Sequence, residues 1–146
     1  MNSHNERIAQ PRSLGELAVD GLLIGVGAGV VMAAYLVLAG LAGGEAAADT
    51  LGRFDPAGGG NPVAGALAHL AAAAVYGALF GAARKVTGRL PAWLAGLGYG
   101  ALLLGLANGI LAVPAGQALR AIAPWHFLAA HLVYGVTLGL GLARRH

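Results

Sequence analysis

The chain contains no cysteine and few charged residues. Without cysteine it has no disulfide, no thiolate metal site and no cysteine nucleophile. Charged residues make up only 10% of the 146 residues and hydrophobic residues 58%, whereas soluble domains average about 25% charged residues. Together with a mean hydropathy of +0.70, this composition excludes an ordinary soluble domain and predicts an integral membrane protein.

The apolar residues are concentrated in four segments, each about as long as the 20 residues that a helix needs to cross a bilayer. These segments are residues 21–44, 62–83, 92–113 and 125–143. Ser13 and Glu16 form a capping-box pattern before the first segment, and the mostly polar residues at the start argue against a cleaved signal peptide. The sequence therefore predicts a single all-α domain over residues 1–146, a bundle of four transmembrane helices built from two tandem helical hairpins.

Lysine and arginine predict how the chain is oriented, because they are enriched on the cytoplasmic side of membrane proteins. On one side of the predicted spans lie Arg7, Arg12, Arg84, Lys85, Arg89, Arg144 and Arg145, and on the other lie Arg53 and Arg120. We therefore expect a multi-pass protein of a bacterial inner membrane with both termini in the cytoplasm. The basic residues form no separate patch, so no nucleic acid is expected as a partner.

Glycine-rich segments recur along the chain. "GVGAG" at residues 25–29 corresponds to "GLGYG" at 96–100, and "VYGALFG" at 75–81 corresponds to "VYGVTLG" at 133–139. These matches predict a hairpin used twice, with the copies related by an axis along the membrane normal. Glycines spaced four residues apart are typical of helices that pack closely in a bilayer.

Three histidines fall within the predicted spans; His126 lies at the membrane boundary, and the two deeper ones, His69 and His131, indicate a candidate site. His69 follows Pro62 by seven residues and His131 follows Pro124 by seven, which places both roughly 10 Å below the outer surface. Both belong to the small-residue face and are expected to point into the bundle. Counting the same depth along the other two spans reaches Tyr35 and Asn108. Since polar residues inside membranes often mark functional sites, these four residues are predicted to form a cofactor-binding layer.

Several chemistries fit such a layer. Two imidazoles could ligate haem b, or they could hydrogen-bond a quinone head. A metal ion would need further ligands, and a proton relay would need a carboxylate that the spans lack. The purely structural alternative is that the histidines hydrogen-bond neighbouring helices. No catalytic residue or metal site is predicted, because the spans contain no Ser-His-acid set, HExxH motif or carboxylate pair.

The segments "HLVYGVTLG", "GLLIGVGAGVVMAAY" and "GYGALLLGLANGILAVPAG" resemble an uncharacterised family of small four-helix bacterial integral membrane proteins. The resemblance covers residues 21–144. The family's His-x2-Tyr-Gly-x3-Gly element in the last helix falls on His131, Tyr134, Gly135 and Gly139. The second span departs from this element, because His69 and Tyr76 are four residues farther apart. The resemblance implies the four-helix fold and no activity.

Two functions of different kinds follow as hypotheses. The first is an accessory, structural subunit of a larger membrane complex of the respiratory or electron-transfer type, because the connections are too short to form a soluble domain. The second is a bundle that binds haem b, quinone or a metal between His69 and His131. A further possibility beside these two is transport of a small solute by a homodimer. The expected partners are the lipid bilayer and either other membrane subunits or a second copy of the chain.

Overall fold

The computed structural model of the protein describes residues 12–112 and 114–144. In that part of the chain there are five α-helices, one 3-10 helix and no strand. They are α1 Leu14–Ala42, α2 Ala47–Gly52, α3 Pro62–Thr87, α4 Ala92–Leu111, the 3-10 helix Pro114–Ala121 and α5 Pro124–Ala143. Helices α1, α3, α4 and α5 are long and apolar enough to cross a membrane. The predicted all-α four-helix bundle of a multi-pass membrane protein is therefore confirmed, while Arg7, Val113 and Arg145 lie outside the described residues.

The helices begin where the sequence provides caps. Ser13 accepts a hydrogen bond from the backbone of Glu16, whose side chain accepts one from the backbone of Ser13, so the predicted capping box is formed. Asn61 caps α3 through its side-chain oxygen, and Pro62 follows as the first helical residue. Proline is favoured there because its missing N–H would have no partner within the helix.

The helices are arranged around the bundle in the order α3, α1, α5, α4. Helix α1 packs extensively against α3 and α5, and α4 packs extensively against α5. Among the helices that are neighbours around the bundle, α3 and α4 contact each other least. Helix α2 packs on α1 and α3, and the 3-10 helix packs on α4, so both cover the same end of the bundle, which we call the α2 end.

Glycines bring two pairs of helices into backbone contact. Between α1 and α3, a methyl group added at Gly77 would lie 2.6 Å from Cα of Gly25. Between α4 and α5, a methyl group added at Gly135 would lie 3.0 Å from Cα of Gly100. No side chain could occupy either position without separating the helices. Close contact of this kind stabilises helix pairs in a bilayer, because burying an apolar side chain away from equally apolar lipid gains little free energy.

Helix α5 is the most enclosed of the four long helices, and Leu138 and Leu142 on it are fully buried. The outward faces carry exposed leucines, among them Leu38, Leu67 and Leu102. Such a surface is costly in water and is expected where lipid surrounds the protein.

Candidate functional site

His69 and His131 line a single cavity of about 130 Å³ inside the bundle. Its walls come from α3, α4 and α5, with Met32 contributed by α1. The cavity lies on the side where α3 and α4 are least closely packed. The structure thus brings together the two histidines that counting residues along the predicted spans places at the same depth in the membrane.

The first histidine is held by the close approach of α1 and α3. Its Nε2 lies 3.1 Å from the carbonyl oxygen of Gly29 on α1. A carbonyl oxygen can only accept, so Nε2 of His69 carries the hydrogen. The ring of Phe54 lies beside the imidazole, with 4.8 Å between the ring centroids. One edge of the His69 ring is therefore fixed to α1, and one side of it is covered by an aromatic ring.

The second histidine is held by its own helix. Nδ1 of His131 donates to the carbonyl oxygen of Phe127, 2.8 Å away and one turn earlier on α5. The ring of Phe127 stands edge to face with the imidazole at a centroid distance of 4.6 Å. The backbone of His131 is also pressed against Gly100 of α4, where an added methyl group would collide with the His131 carbonyl oxygen. Both the ring and the backbone of His131 are thereby fixed.

Two tyrosine hydroxyls tie the other helices to α3 next to the cavity. The Tyr134 hydroxyl donates to the carbonyl oxygen of Ala73 at 2.7 Å, and the Tyr99 hydroxyl donates to that of Tyr76 at 2.8 Å. Tyr76 and Tyr134 also line the cavity. Helical spacing could have indicated both, because Tyr134 follows His131 by three residues and Tyr76 follows His69 by seven, which places each pair on one helix face.

At the α2 end the cavity is closed by two residues that sequence reasoning did not identify. Phe54 follows α2, and Leu119 belongs to the 3-10 helix. Both come from connections between the spans, where no helical periodicity relates a residue to the face of a neighbouring helix.

The cavity opens at the outer surface of the bundle between α3 and α4. Ala72 of α3 and Leu106 and Ile110 of α4 line it and are also exposed at that surface. In a membrane this surface faces lipid. A molecule dissolved in the bilayer could therefore reach the two histidines without crossing the aqueous phase.

The other two predicted residues lie elsewhere. The hydroxyl of Tyr35 is 2.9 Å from Nδ1 of His126 near the α2 end, and Asn108 is exposed on the outer face of α4. Equal depth fixes the level of a residue along the bundle axis but not the direction in which its side chain leaves the helix. The structure therefore brings His69 and His131 together and leaves Tyr35 and Asn108 outside their cavity.

A second cavity of about 240 Å³ lies at the α2 end, with Trp125 and His126 in its lining. Arg53 and Glu45 form an ion pair there at 2.7 Å. The hydrogen bond from Arg53 holds the pKa of the Glu45 carboxyl below its usual range. Because these two charges neutralise each other, the second cavity presents no unpaired acid or base from this pair.

The volume of the histidine cavity and the polar side chains available to a ligand discriminate among the candidate ligands. A volume of about 130 Å³ is close to that of the ~150 Å³ cavity that accommodates benzene and below the ~300 Å³ of common ligand pockets. One six-membered ring fits, whereas a porphyrin would require the helices to separate. No group of three or more His, Cys, Asp or Glu residues suited to an ion occurs in the described ranges. The arrangement is best suited to the ring of a small lipophilic molecule.

The chain has no significant match among protein-family models, curated proteins or solved structures. Its resemblance to small four-helix bacterial membrane proteins therefore stays a prediction. The function has to be argued from the cavity and its surroundings.

Proposed function

We propose that this protein binds the ring-shaped head of a lipid-soluble molecule in the cavity between His69 and His131. One observation carries the proposal: the cavity holds the two histidines that lie more than one helical turn inside their spans, and it opens at the lipid-facing surface between α3 and α4. Ionisable side chains are rare inside membranes, and they are retained mainly where they serve a site or a partner.

The access route favours a ligand that partitions into the bilayer. Apolar side chains such as Leu106 and Ile110 line the opening, and the small Ala72 lies opposite them on α3. A lipophilic ring would replace poorly packed space with dispersion contacts as it enters. The looser packing of α3 against α4 would allow the opening to widen at less cost than the glycine-packed pairs would.

The proposal is tested with 4-fluorotoluene, a one-ring probe whose binding is followed by fluorine NMR of the purified protein in detergent. We expect a saturable shift in the wild type. The variant Ala72→Phe places a large ring at the opening and is expected to abolish the saturable shift. Ala71→Phe is the matched control, because Ala71 is exposed on the same turn of α3 and does not line the cavity. Equal binding by both variants, or no saturable binding by the wild type, would refute the proposal.

A second candidate function is that of an accessory subunit in a larger membrane assembly. Asn108 favours it, because its amide is exposed on the outer face of α4, and an amide facing hydrocarbon is costly unless a neighbour pairs with it. Gly105 and Gly109, on either side of Asn108, have open space where a side chain would be. A helix of another subunit or of a second copy could approach there and hydrogen-bond the amide. Asn108→Val is expected to lower co-purification of such a partner, and Leu102→Val, also on the outer face of α4, is not.

The arrangement of the four helices as two equivalent hairpins is also part of the proposal. We infer that the bundle is a tandem repeat of one hairpin, because the contact of Gly77 with the Gly21 carbonyl in the first pair recurs as the contact of Gly135 with the Gly96 carbonyl in the second. In this register Gly21 of the first hairpin corresponds to Gly96 of the second. The sequence match instead aligns Gly25 with Gly96, one helical turn farther along α1. By the same register, the counterpart of His131 is Ala73.

The orientation is likewise proposed, with both termini in the cytoplasm of a bacterial inner membrane. Arg12, Arg84, Lys85, Arg89 and Arg144 all lie at the end of the bundle opposite the α2 end. Arg53 and Arg120 lie at the α2 end, and Arg53 is paired with Glu45. This asymmetry supports the orientation through the positive-inside rule.

A further inference from the structure

The hydrogen bonds of the two histidines determine which ring nitrogen of each is left for a ligand. In His69 the carbonyl of Gly29 requires the hydrogen on Nε2, so Nδ1 of the neutral ring carries a lone pair. In His131 the carbonyl of Phe127 requires the hydrogen on Nδ1, so Nε2 carries the lone pair. The lining that the structure describes contains no acidic side chain, and a buried imidazole without an anionic partner favours the neutral form.

Neither of these two nitrogens is fully enclosed by protein. Every fully enclosed side-chain nitrogen or oxygen in the described part of the chain has a hydrogen-bond partner. Nε2 of His131 and Nδ1 of His69 have none among the described residues, so neither atom is fully enclosed. His131 is only 7% exposed and lines the cavity, as does His69. Both acceptors therefore belong to side chains that line the cavity and are available for a hydrogen bond.

We infer that the bound ring carries a hydroxyl group that donates a hydrogen bond to one of these two nitrogens. The ligand class is thus a lipophilic phenol or quinol rather than a quinone, whose carbonyls can only accept. The inference rests on the proposed function and names the chemistry of the same cavity. A quinone carbonyl could accept from the Tyr76 hydroxyl in the lining but would leave both imidazole nitrogens unpaired, whereas a ligand hydroxyl pairs with one of them directly.

Tyr76 completes the polar lining. It lines the cavity, and its hydroxyl has no hydrogen-bond partner among the described residues. A hydroxyl on the ligand can donate to an imidazole and accept from this tyrosine at the same time.

The test compares three one-ring probes. These are 4-methylphenol, which donates; 4-methylcyclohexanone, which only accepts; and 4-fluorotoluene, which does neither strongly. After correction for partition into detergent, we expect 4-methylphenol to bind about fivefold more tightly than 4-fluorotoluene, the gain of one net hydrogen bond. The double variant His69→Leu/His131→Leu, which removes both acceptors, is expected to lose that preference and to retain 4-fluorotoluene binding, and the retained binding would report a folded protein with an intact cavity.

The outcomes separate this inference from the proposed function. If 4-fluorotoluene binds but 4-methylphenol binds no better, or 4-methylcyclohexanone binds best, the donor assignment is wrong and the lipophilic site stands. If none of the probes saturates, the site itself is refuted. Nitrogen-15 NMR of the wild type supplies a measurement that needs no variant, since the hydrogen of His131 must be found on Nδ1. A spectrum with the hydrogen on Nε2 would overturn the inference.

Discussion

The hydroxyl oxygen of Tyr35 on α1 lies 2.9 Å from Nδ1 of His126 on α5. The two rings stand edge to face, with 5.8 Å between their centroids. This contact joins α1 to α5 next to the second cavity, at the α2 end. It is therefore expected to contribute to the α1–α5 interface rather than to the histidine cavity.

The Tyr35–His126 contact should appear as a coupling energy. Tyr35→Phe removes the hydroxyl without changing the ring, and we expect it to lower the free energy of unfolding by about 0.6 kcal/mol, which is typical of interhelical hydrogen bonds in membrane proteins. In a His126→Phe background the same change should have no effect. The measurement is a double-mutant cycle from unfolding in mixed micelles. Additive effects of the two substitutions would show that the contact contributes nothing.

Glycine contacts should dominate the stability of the bundle. Gly77→Ala forces a methyl group against the backbone of Gly25 and the carbonyl of Gly21, and we expect a loss of about 1–3 kcal/mol, as for overpacked cores. Gly27→Ala is the control on α1, where an added methyl group meets nothing within 4 Å. It should be neutral or stabilise the helix by up to about 1 kcal/mol. Thermal unfolding followed by circular dichroism measures both, and equal stability of the two variants would contradict the packing described.

The same comparison applies to the second helix pair. Gly135→Ala should destabilise, because its methyl group would lie against Cα of Gly100. Gly98→Ala is the matched control on α4, with nothing near its added methyl group. If Gly135→Ala proves harmless while Gly77→Ala is not, the tandem-hairpin proposal loses its support, because the two contacts would not be equivalent.

The sequence was sufficient to predict the features that depend on local patterns. Spans were recognisable from apolar length, the start of α1 from Ser13 and Glu16, and the inward direction of His69 and His131 from the small residues that share their faces. Each of these depends on spacing within one helix, which periodicity reports directly.

Features that depend on how helices rotate against each other were not predictable in the same way. Depth alone relates Tyr35 and Asn108 to the two histidines, and the rotation of α1 and α4 places them away from the cavity. In the proposed tandem repeat Gly21 corresponds to Gly96, one helical turn away from the sequence match, because glycines recur every four residues and fit several registers equally well. Phe54 reaches the cavity from a connection that carries no repeat.

Asp55 predicts a pH dependence of stability. Its carboxylate accepts hydrogen bonds from the backbone N–H groups of Asn61 and Ala57, both at 3.0 Å. These hydrogen bonds lower the pKa of the Asp55 carboxyl below its ordinary value of 3.8, and the bond from Asn61 has the largest effect. A lowered pKa in the folded state means that the stabilisation is present above that ordinary value and is lost as the pH falls through the folded pKa.

We therefore expect the unfolding temperature to fall as the pH drops from about 4, with a smaller slope in Asp55→Asn, which should also be less stable at neutral pH. Glu45 is expected to titrate in the same direction, because Arg53 lowers its pKa, and Glu45→Gln separates its part. An unchanged slope in Asp55→Asn would show that the hydrogen bonds of Asp55 do not contribute to stability.

The absence of cysteine makes the proposed orientation directly measurable. Ala57→Cys places one thiol in the exposed connection at the α2 end, and Val86→Cys places one in the last turn of α3, where the side chain is 87% exposed. In spheroplasts of a bacterial host, a membrane-impermeant maleimide should label Ala57→Cys, whereas Val86→Cys should be labelled only in inverted vesicles. The native side chains provide no background, so each signal reports one site. The reverse labelling pattern would place the termini outside, and the excess of basic residues opposite the α2 end would then require an explanation other than the positive-inside rule.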